Sequence, residues 1–437
     1  MPESYYLDQI ITVNKQGEGK GVFCVCSAHP MVIETSIKHA VKNNAYLIVE
    51  STSNQVNQFG GYTGMTPNDF AAQVKALAEK CDFDPEKLIL GGDHLGPNVW
   101  QDQPAQIAME KARVMIAEYV NAGYTKIHLD ASMKCGDDDP SRPLEKEISA
   151  ARAADLAMIA EENFQSLGSA GAAPRYIIGT EVPIPGGAKE EEHEIDVTGI
   201  ADASETIEVT KASFYQRGLE KAWDRVAALV VQPGVEFGDH QIHAYDHEKA
   251  KSLADFIKNY PGLVYEAHST DYQTQDALRF LVNDHFAILK VGPELTFTYR
   301  EAIFALAWME KELLGGNAKF ELSDIQNVLD EEMVKEPSAW KNYYSGTQQE
   351  IVFARKYSLS DRSRYYWPNL RVQTSLKKLM SNLESQLLPY SLVSQFFPKH
   401  NNISSEDKNR IDPQSLIRSK IESVLDKYSK ACGGESG

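Results

Sequence analysis

Positive charge is what this 437-residue chain has too little of: 44 Lys and Arg stand against 62 Asp and Glu, a formal net charge of −18 at pH 7. A surface of that sign repels phosphate backbones and anionic lipid, which argues against nucleic-acid or membrane binding as the main activity. An anionic small substrate stays open, because a local pocket can be positive inside an acidic protein. Long apolar runs are also missing. Stretches such as residues 227–231 fall far short of the ~20 residues that span a bilayer. The start, Met1-Pro2-Glu3-Ser4-Tyr5-Tyr6, lacks the basic segment and apolar core of a signal peptide. Cysteine is sparse and odd in number: Cys24, Cys26, Cys81, Cys135 and Cys432 show no zinc-site spacing and read as buried thiols of a reducing compartment. A cytoplasmic location is expected. No G-x-S-x-G elbow occurs, and no G-x-x-x-x-G-K-[ST] loop is present to hold ATP phosphates.

What the chain does have is a recurring alternation. Short β-branched, apolar runs at 21–27, 46–51, 88–93, 126–131, 176–182, 227–232, 263–269 and 285–292 are separated by helical patterns, among them 30–42, 68–80, 104–121, 144–162 and 245–258. Runs apolar on both faces suit parallel strands covered by helices, and eight units over ~290 residues favour a closed (β/α)8 TIM barrel. After about residue 315 the pattern is helical only, at 320–335, 370–387 and 413–430. The expected organisation is therefore α/β: a barrel over 1–315 carrying the active site and a helical extension over 316–437, with a disordered tail from 431. The charged run 189–194 reads as a solvated loop, and the segment 357–368 as the part that docks the extension.

In a parallel barrel, ligands bind at the C-terminal ends of the strands. Seven of the eight expected strands end there in ionisable or amide residues. They include Glu50 and the following Asn54-Gln55-Val56-Asn57-Gln58, Gly91-Gly92-Asp93-His94-Leu95-Gly96, His128-Leu129-Asp130, Glu181, Glu236, Glu266-Ala267-His268-Ser269-Thr270 and Lys290-Val291-Gly292. Unpaired charges at such a rim would cost several kcal/mol each, so they call for a metal, partners or a ligand. His94, Glu236 and His268, from the third, sixth and seventh strands, form a three-ligand set for a divalent cation (Zn, Mn or Mg) that leaves positions for substrate oxygens. The alternative is a polar hydrogen-bond network without metal. Glu181 is either a fourth ligand or an acid/base. His128, mid-strand, and His240, His243 and His247 are expected in structural or rim roles. Lys290 reads as the charge partner of a carboxylate or of a substrate anion.

At these motifs the sequence resembles the Gat/Kba Z proteins, the partner subunit of bacterial D-tagatose-1,6-bisphosphate aldolase. The segments that carry the likeness are Val25-Cys26-Ser27-Ala28-His29-Pro30, 53–66, 91–98, 179–187, 232–238, 265–274 and Tyr357-Ser358-Leu359-Ser360-Asp361-Arg362. More distantly, Asp93-His94, Glu181 and His268-Ser269-Thr270 are similar to motifs of the metal-dependent class II aldolases. Glu236 stands where those enzymes carry a metal-binding histidine. The resemblance implies a TIM barrel, a divalent cation, a phosphorylated ketose and chemistry at its C3–C4 bond, with Asp93 or Glu181 as the acid/base. Two activities are implied by relatives: D-tagatose 6-phosphate 4-epimerase, or a subunit needed for full activity and stability of a separate catalytic aldolase chain. Asn54, Gln55, Gln58 and Asp130 are then expected near sugar hydroxyls, and Ser269, Thr270, Lys290 and Gly292 near phosphate. A homo-oligomer is also expected.

Overall fold

The computed structural model describes residues 5–168, 171–180, 195–398 and 411–434. Eight parallel strands close into a barrel: β1 (Val22–Cys26), β2 (Leu47–Thr52), β3 (Leu88–Leu95), β4 (Lys126–Leu129), β5 (Arg175–Ile178), β6 (Val226–Val230), β7 (Val264–Ala267) and β8 (Ile288–Val291). Each pairs with its neighbours in sequence, and β8 closes on β1 through Val22–Ile288 and Val25–Val291. All six residues of β2 and all eight of β3 are buried. That is the reason these runs read as continuously apolar: helices cover one face and the barrel interior the other.

The expected (β/α)8 barrel is therefore the observed one, and the helix Pro30–Lys42 has the bounds that its 3.6-residue pattern predicts. Caps fix several starts. Thr66 and Asp69 form a reciprocal capping box at Pro67–Lys80, and the Thr274 hydroxyl accepts from the Ala277 amide at Gln275–Asn283. Two elements were not expected. A short antiparallel ribbon, Glu236–Phe237 with Ile242–His243, follows β6. A helix at Tyr5–Lys15 precedes β1, and its Leu7 and Ile11 join Val22, Ile48, Ile89, Ile177, Ala228, Val264 and Ile288 in one apolar cluster at the N-terminal end of the strands. Arg175 holds that helix by a two-pronged ion pair to Asp8, 2.9 and 2.7 Å.

The chain groups into two compact units, residues 1–237, 242–292 and 426–437, and residues 238–241 and 293–425. Grouping changes at Gly292–Pro293 rather than at 315, because the helix Pro293–Leu314 packs on the helices Ile325–Lys335 and Leu370–Glu384 that follow it. Among the described residues no strand follows β8. The last helix, Pro413–Ala431, carries Ala431 and Cys432 into buried positions, against the expected disordered tail; residues 435–437 lie outside those described. No helix of the described chain is long and apolar enough to cross a membrane.

Candidate active site at the barrel mouth

The third strand carries the site's local geometry. Gly92 faces Ile127 and Leu95 faces Leu129, so Asp93 and His94 together oppose the single residue His128. This two-against-one bulge turns consecutive side chains toward one region, and His94 takes a left-handed backbone conformation (φ 47°) to do so. The glycines around it answer to space. A Cβ at Gly91 would lie 2.7 Å from the Glu50 side chain, and one at Gly96 would run into the Asp130 carbonyl at 1.6 Å. Glycine at 91 and 96 thus makes room for a buried carboxylate and for close passage of β3 past β4.

Three imidazoles meet above this bulge. Ring centroids of His94, His128 and His268 are 5.0, 4.9 and 5.1 Å apart, a nearly equilateral triangle. With Asp93 they offer four ligand atoms all within 4.8 Å of one another, and all four residues are buried. Each ring is oriented from behind. His94 donates through Nδ1 to Asp130 at 2.7 Å, and Asp130 is itself fixed by Asn98 at 2.8 Å and by the Ser132 hydroxyl at 2.6 Å. His268 Nε2 lies 2.9 Å from Glu266. The Nδ1 of His128 lies 3.2 Å from the His94 amide and 3.1 Å from Asp93, while its Nε2 is buried with no hydrogen-bond partner. Imidazoles turned by carboxylates with the other nitrogen left over are the usual arrangement around a bound metal.

Beneath the imidazoles lies a layer of fully paired ions. Lys126 bridges Glu50 and Glu266 at 2.6 Å each, and Lys290 pairs with Glu50 and, at 2.7 Å, with Asp93. All five side chains are almost wholly buried. Burial alone would push their charges off, but the close pairs win. Glu50 and Glu266 are held below the ordinary carboxylate range, and Lys126 and Lys290 above the ordinary amine range. Asp93 is likewise desolvated, yet His94 and Lys290 hold it well below its usual value, so it is ionised. His268 is pushed down to about 4 by burial against the opposing pull of Glu266, which leaves a neutral imidazole, the form that ligates a metal. At His94 burial is outweighed by Asp93 and Asp130, and positive charge is favoured. Four carboxylates (Glu50, Asp93, Asp130, Glu266) face two lysines here. A dication that displaces the proton from His94 would leave neutral imidazoles and restore neutrality, so the donor set fits a divalent metal in both charge and chemistry.

The residue model of the GatZ/KbaZ-like family, described as D-tagatose-1,6-bisphosphate aldolase subunit GatZ/KbaZ-like, matches residues 7–433. The chain belongs to this family. Its GatZ/KbaZ-like relatives include the D-tagatose-1,6-bisphosphate aldolase subunit GatZ of Klebsiella pneumoniae, 49% identical over 98% of this chain and 100% of that one. The GatZ subunit of Salmonella typhimurium is also 49% identical, over 98% and 99%. Among solved structures, a probable tagatose 6 phosphate kinase from Sinorhizobium meliloti is 42% identical, with a TM-score of 0.85 over 94% of this chain and 100% of that chain.

Of the expected ligands, the structure brings His94 and His268 together, and His128, expected in a structural or rim role, joins them. Glu236 is buried on the ribbon after β6, where its Oε1 accepts from the Phe237 amide at 2.9 Å; it is not part of the four-residue group. Glu181 and the run 189–194 lie outside the described residues. Lys290 is the partner of carboxylates. Thr270 gives its hydroxyl to the Lys290 carbonyl, and the Gly292 amide donates to Asp271 at 3.0 Å. Ser269 follows β7 with φ 53°. In the loop after β2, Gln55 accepts from the Thr52 amide, Asn54 from the Thr52 hydroxyl, and Gln58 donates to the Lys111 carbonyl, so all three brace the loop.

Proposed function

We propose that this chain serves as the Z-type subunit of a D-tagatose-1,6-bisphosphate aldolase, and that its own barrel mouth holds a divalent cation and a phosphorylated ketose. The observation that carries the reading is the meeting of Asp93, His94, His128 and His268 in one buried group, on a chain alike over its length to named aldolase subunits. His94, His128 and His268 would hold the cation, with Asp93 beside them; three imidazoles favour zinc over manganese or magnesium. Bound there, the cation supplies Lewis-acid polarisation of a ketose carbonyl.

The residues of the chain provide the rest. The C4 hydrogen of a ketose is not acidic, but its C4 hydroxyl is β to the C2 carbonyl. Removing the hydroxyl proton lets the C3–C4 bond break, and its electron pair moves into the carbonyl-bearing fragment. Asp93, ionised and steadied by Lys290, takes that proton, or Glu181 does. Asp130 and Glu266 keep the imidazoles turned toward the substrate. Ser269 would face one end of the sugar phosphate, while the Thr270 hydroxyl and the Gly292 amide, held by the Lys290 carbonyl and Asp271, shape the wall behind it.

A second reading, a free-standing D-tagatose 6-phosphate 4-epimerase, is favoured by the completeness of the donor set, which a purely supporting subunit does not need. Adding the purified chain to a partner aldolase chain and tagatose 1,6-bisphosphate separates the two. The subunit reading expects cleavage in the mixture to exceed the sum of the two chains measured alone. Conversion of tagatose 6-phosphate to fructose 6-phosphate by this chain alone, lost in His128→Ala, would replace it with the epimerase.

A further inference from the structure

Buried arginines in this protein follow a rule. Arg355 meets Asp330 with two bonds of 2.7 and 3.0 Å, and Arg175 meets Asp8 with 2.9 and 2.7 Å. Arg300 lies 3.5 Å from Asp361. Arg362 breaks the rule. It is 3% exposed, and among the described residues no carboxylate lies within ion-pairing distance. Its Nη1 donates to the Ala339 carbonyl at 3.0 Å, its guanidinium lies over the Tyr343 ring, and its Nε is buried with no partner. A guanidinium taken out of water without an anion costs several kcal/mol, so the position calls for a negative charge that the described residues do not bring.

The surroundings specify that charge. Arg362 and Arg364 both donate to the Tyr365 hydroxyl, Arg364 at 3.1 Å, so two cations converge on one phenol oxygen, whose proton they loosen. Tyr343, Arg364 and Tyr365 are only half-buried, which leaves the cluster a way to solvent. Two forked cations match a dianion with several acceptor oxygens better than a carboxylate with one charge. We propose that Arg362, with Arg364 and Tyr365, forms a binding site for a phosphate monoester dianion in the second unit. This goes beyond the barrel-mouth chemistry and does not need it; that a ketose carries the phosphoryl group rests on the preceding reading.

The test is calorimetric titration of the full chain with inorganic phosphate and, separately, with tagatose 6-phosphate, before and after metal removal by a chelator. Binding that survives metal removal and weakens roughly tenfold or more in Arg362→Gln is expected. Arg362→Lys should bind between the two, keeping the charge and losing the fork. Inorganic phosphate and the sugar phosphate binding alike would assign the site to free phosphate; much tighter sugar phosphate would assign it to the substrate class. Wild-type affinity in Arg362→Gln, or no phosphate binding to the metal-free chain, would overturn the site. Should the variants fail to fold, phenylglyoxal labelling of the unaltered chain answers the same question: phosphate must protect Arg362, and equal labelling with and without it refutes the site.

Discussion

The two ends of the same eight strands are built from opposite materials. At the N-terminal end Leu7, Ile11, Val22, Ile48, Ile89, Ile177 and Val264 form an apolar floor, closed by a helix that comes before the first strand. A few residues along, the interior becomes an ion layer of Glu50, Lys126, Glu266 and Lys290, capped by three imidazoles and Asp93. The floor gains stability from each methylene it hides. The ion layer returns little net stability, because each desolvated charge consumes most of what its partner gives back. The comparison teaches that stability and chemistry are separated along the strand axis: one end holds the barrel shut, and the other accepts an energetic cost to set donors.

The sharpest way to break that contrast is Lys126→Met. It leaves Glu50 and Glu266 with Lys290 as their one remaining shared cation, 3.6 Å from Glu266, and stability at neutral pH should fall by about 3–5 kcal/mol in denaturant unfolding. The loss should shrink as acid protonates the two carboxylates; a variant as stable as the parent would mean the layer is not paired as described. At the floor, Leu7→Ala should cost about 3 kcal/mol through lost burial and a cavity, while metal content measured by emission spectrometry stays unchanged.

His285, also toward the floor, is buried and donates to Asn14 at 2.8 Å, and burial with nearby Lys15 pushes it down to about 4. Above pH 6.5 it is neutral whether folded or unfolded and adds nothing. Between 6.5 and 4 the unfolded chain takes a proton that the fold refuses, so stability should decline as pH falls, by roughly 1.4 kcal/mol per pH unit from this group. His285→Asn, which suits the left-handed backbone there (φ 68°), should remove that part of the slope in denaturation curves taken across the range. The smallest effect on stability is expected for Asp130→Asn. His94 would keep a hydrogen-bond partner but lose the charge behind it, and metal affinity by competitive chelation should drop about 10–100-fold with stability nearly unchanged.

The barrel was legible because its strands are hidden on both sides and so read as unbroken apolar runs between helical periods. Asp93, His94 and His268 were legible because polar residues stood at strand ends. His128 was not, since its role depends on the extra residue in β3, and a bulge leaves no mark in side-chain alternation beyond the crowding of Gly91, Gly92 and Gly96. The bridge from Glu50 through Lys126 to Glu266 joins residues far apart in sequence, and each taken alone looks like a strand-end charge or a stray lysine. The helix Tyr5–Lys15 was missed for a simpler reason: its pattern is short and lies outside the strand–helix repeat.

The doubled step in β3 has a lasting consequence for how this mouth can vary. With two neighbours sharing one side of the strand, the mouth holds one donor more than eight regular strands would place there. That surplus is tied to a count and not to a residue type. Shortening the segment by one position would force Asp93 or His94 outward into the Tyr119 side of the wall, so this part of the chain should tolerate a change in length no better than a side chain at Gly91 or Gly96.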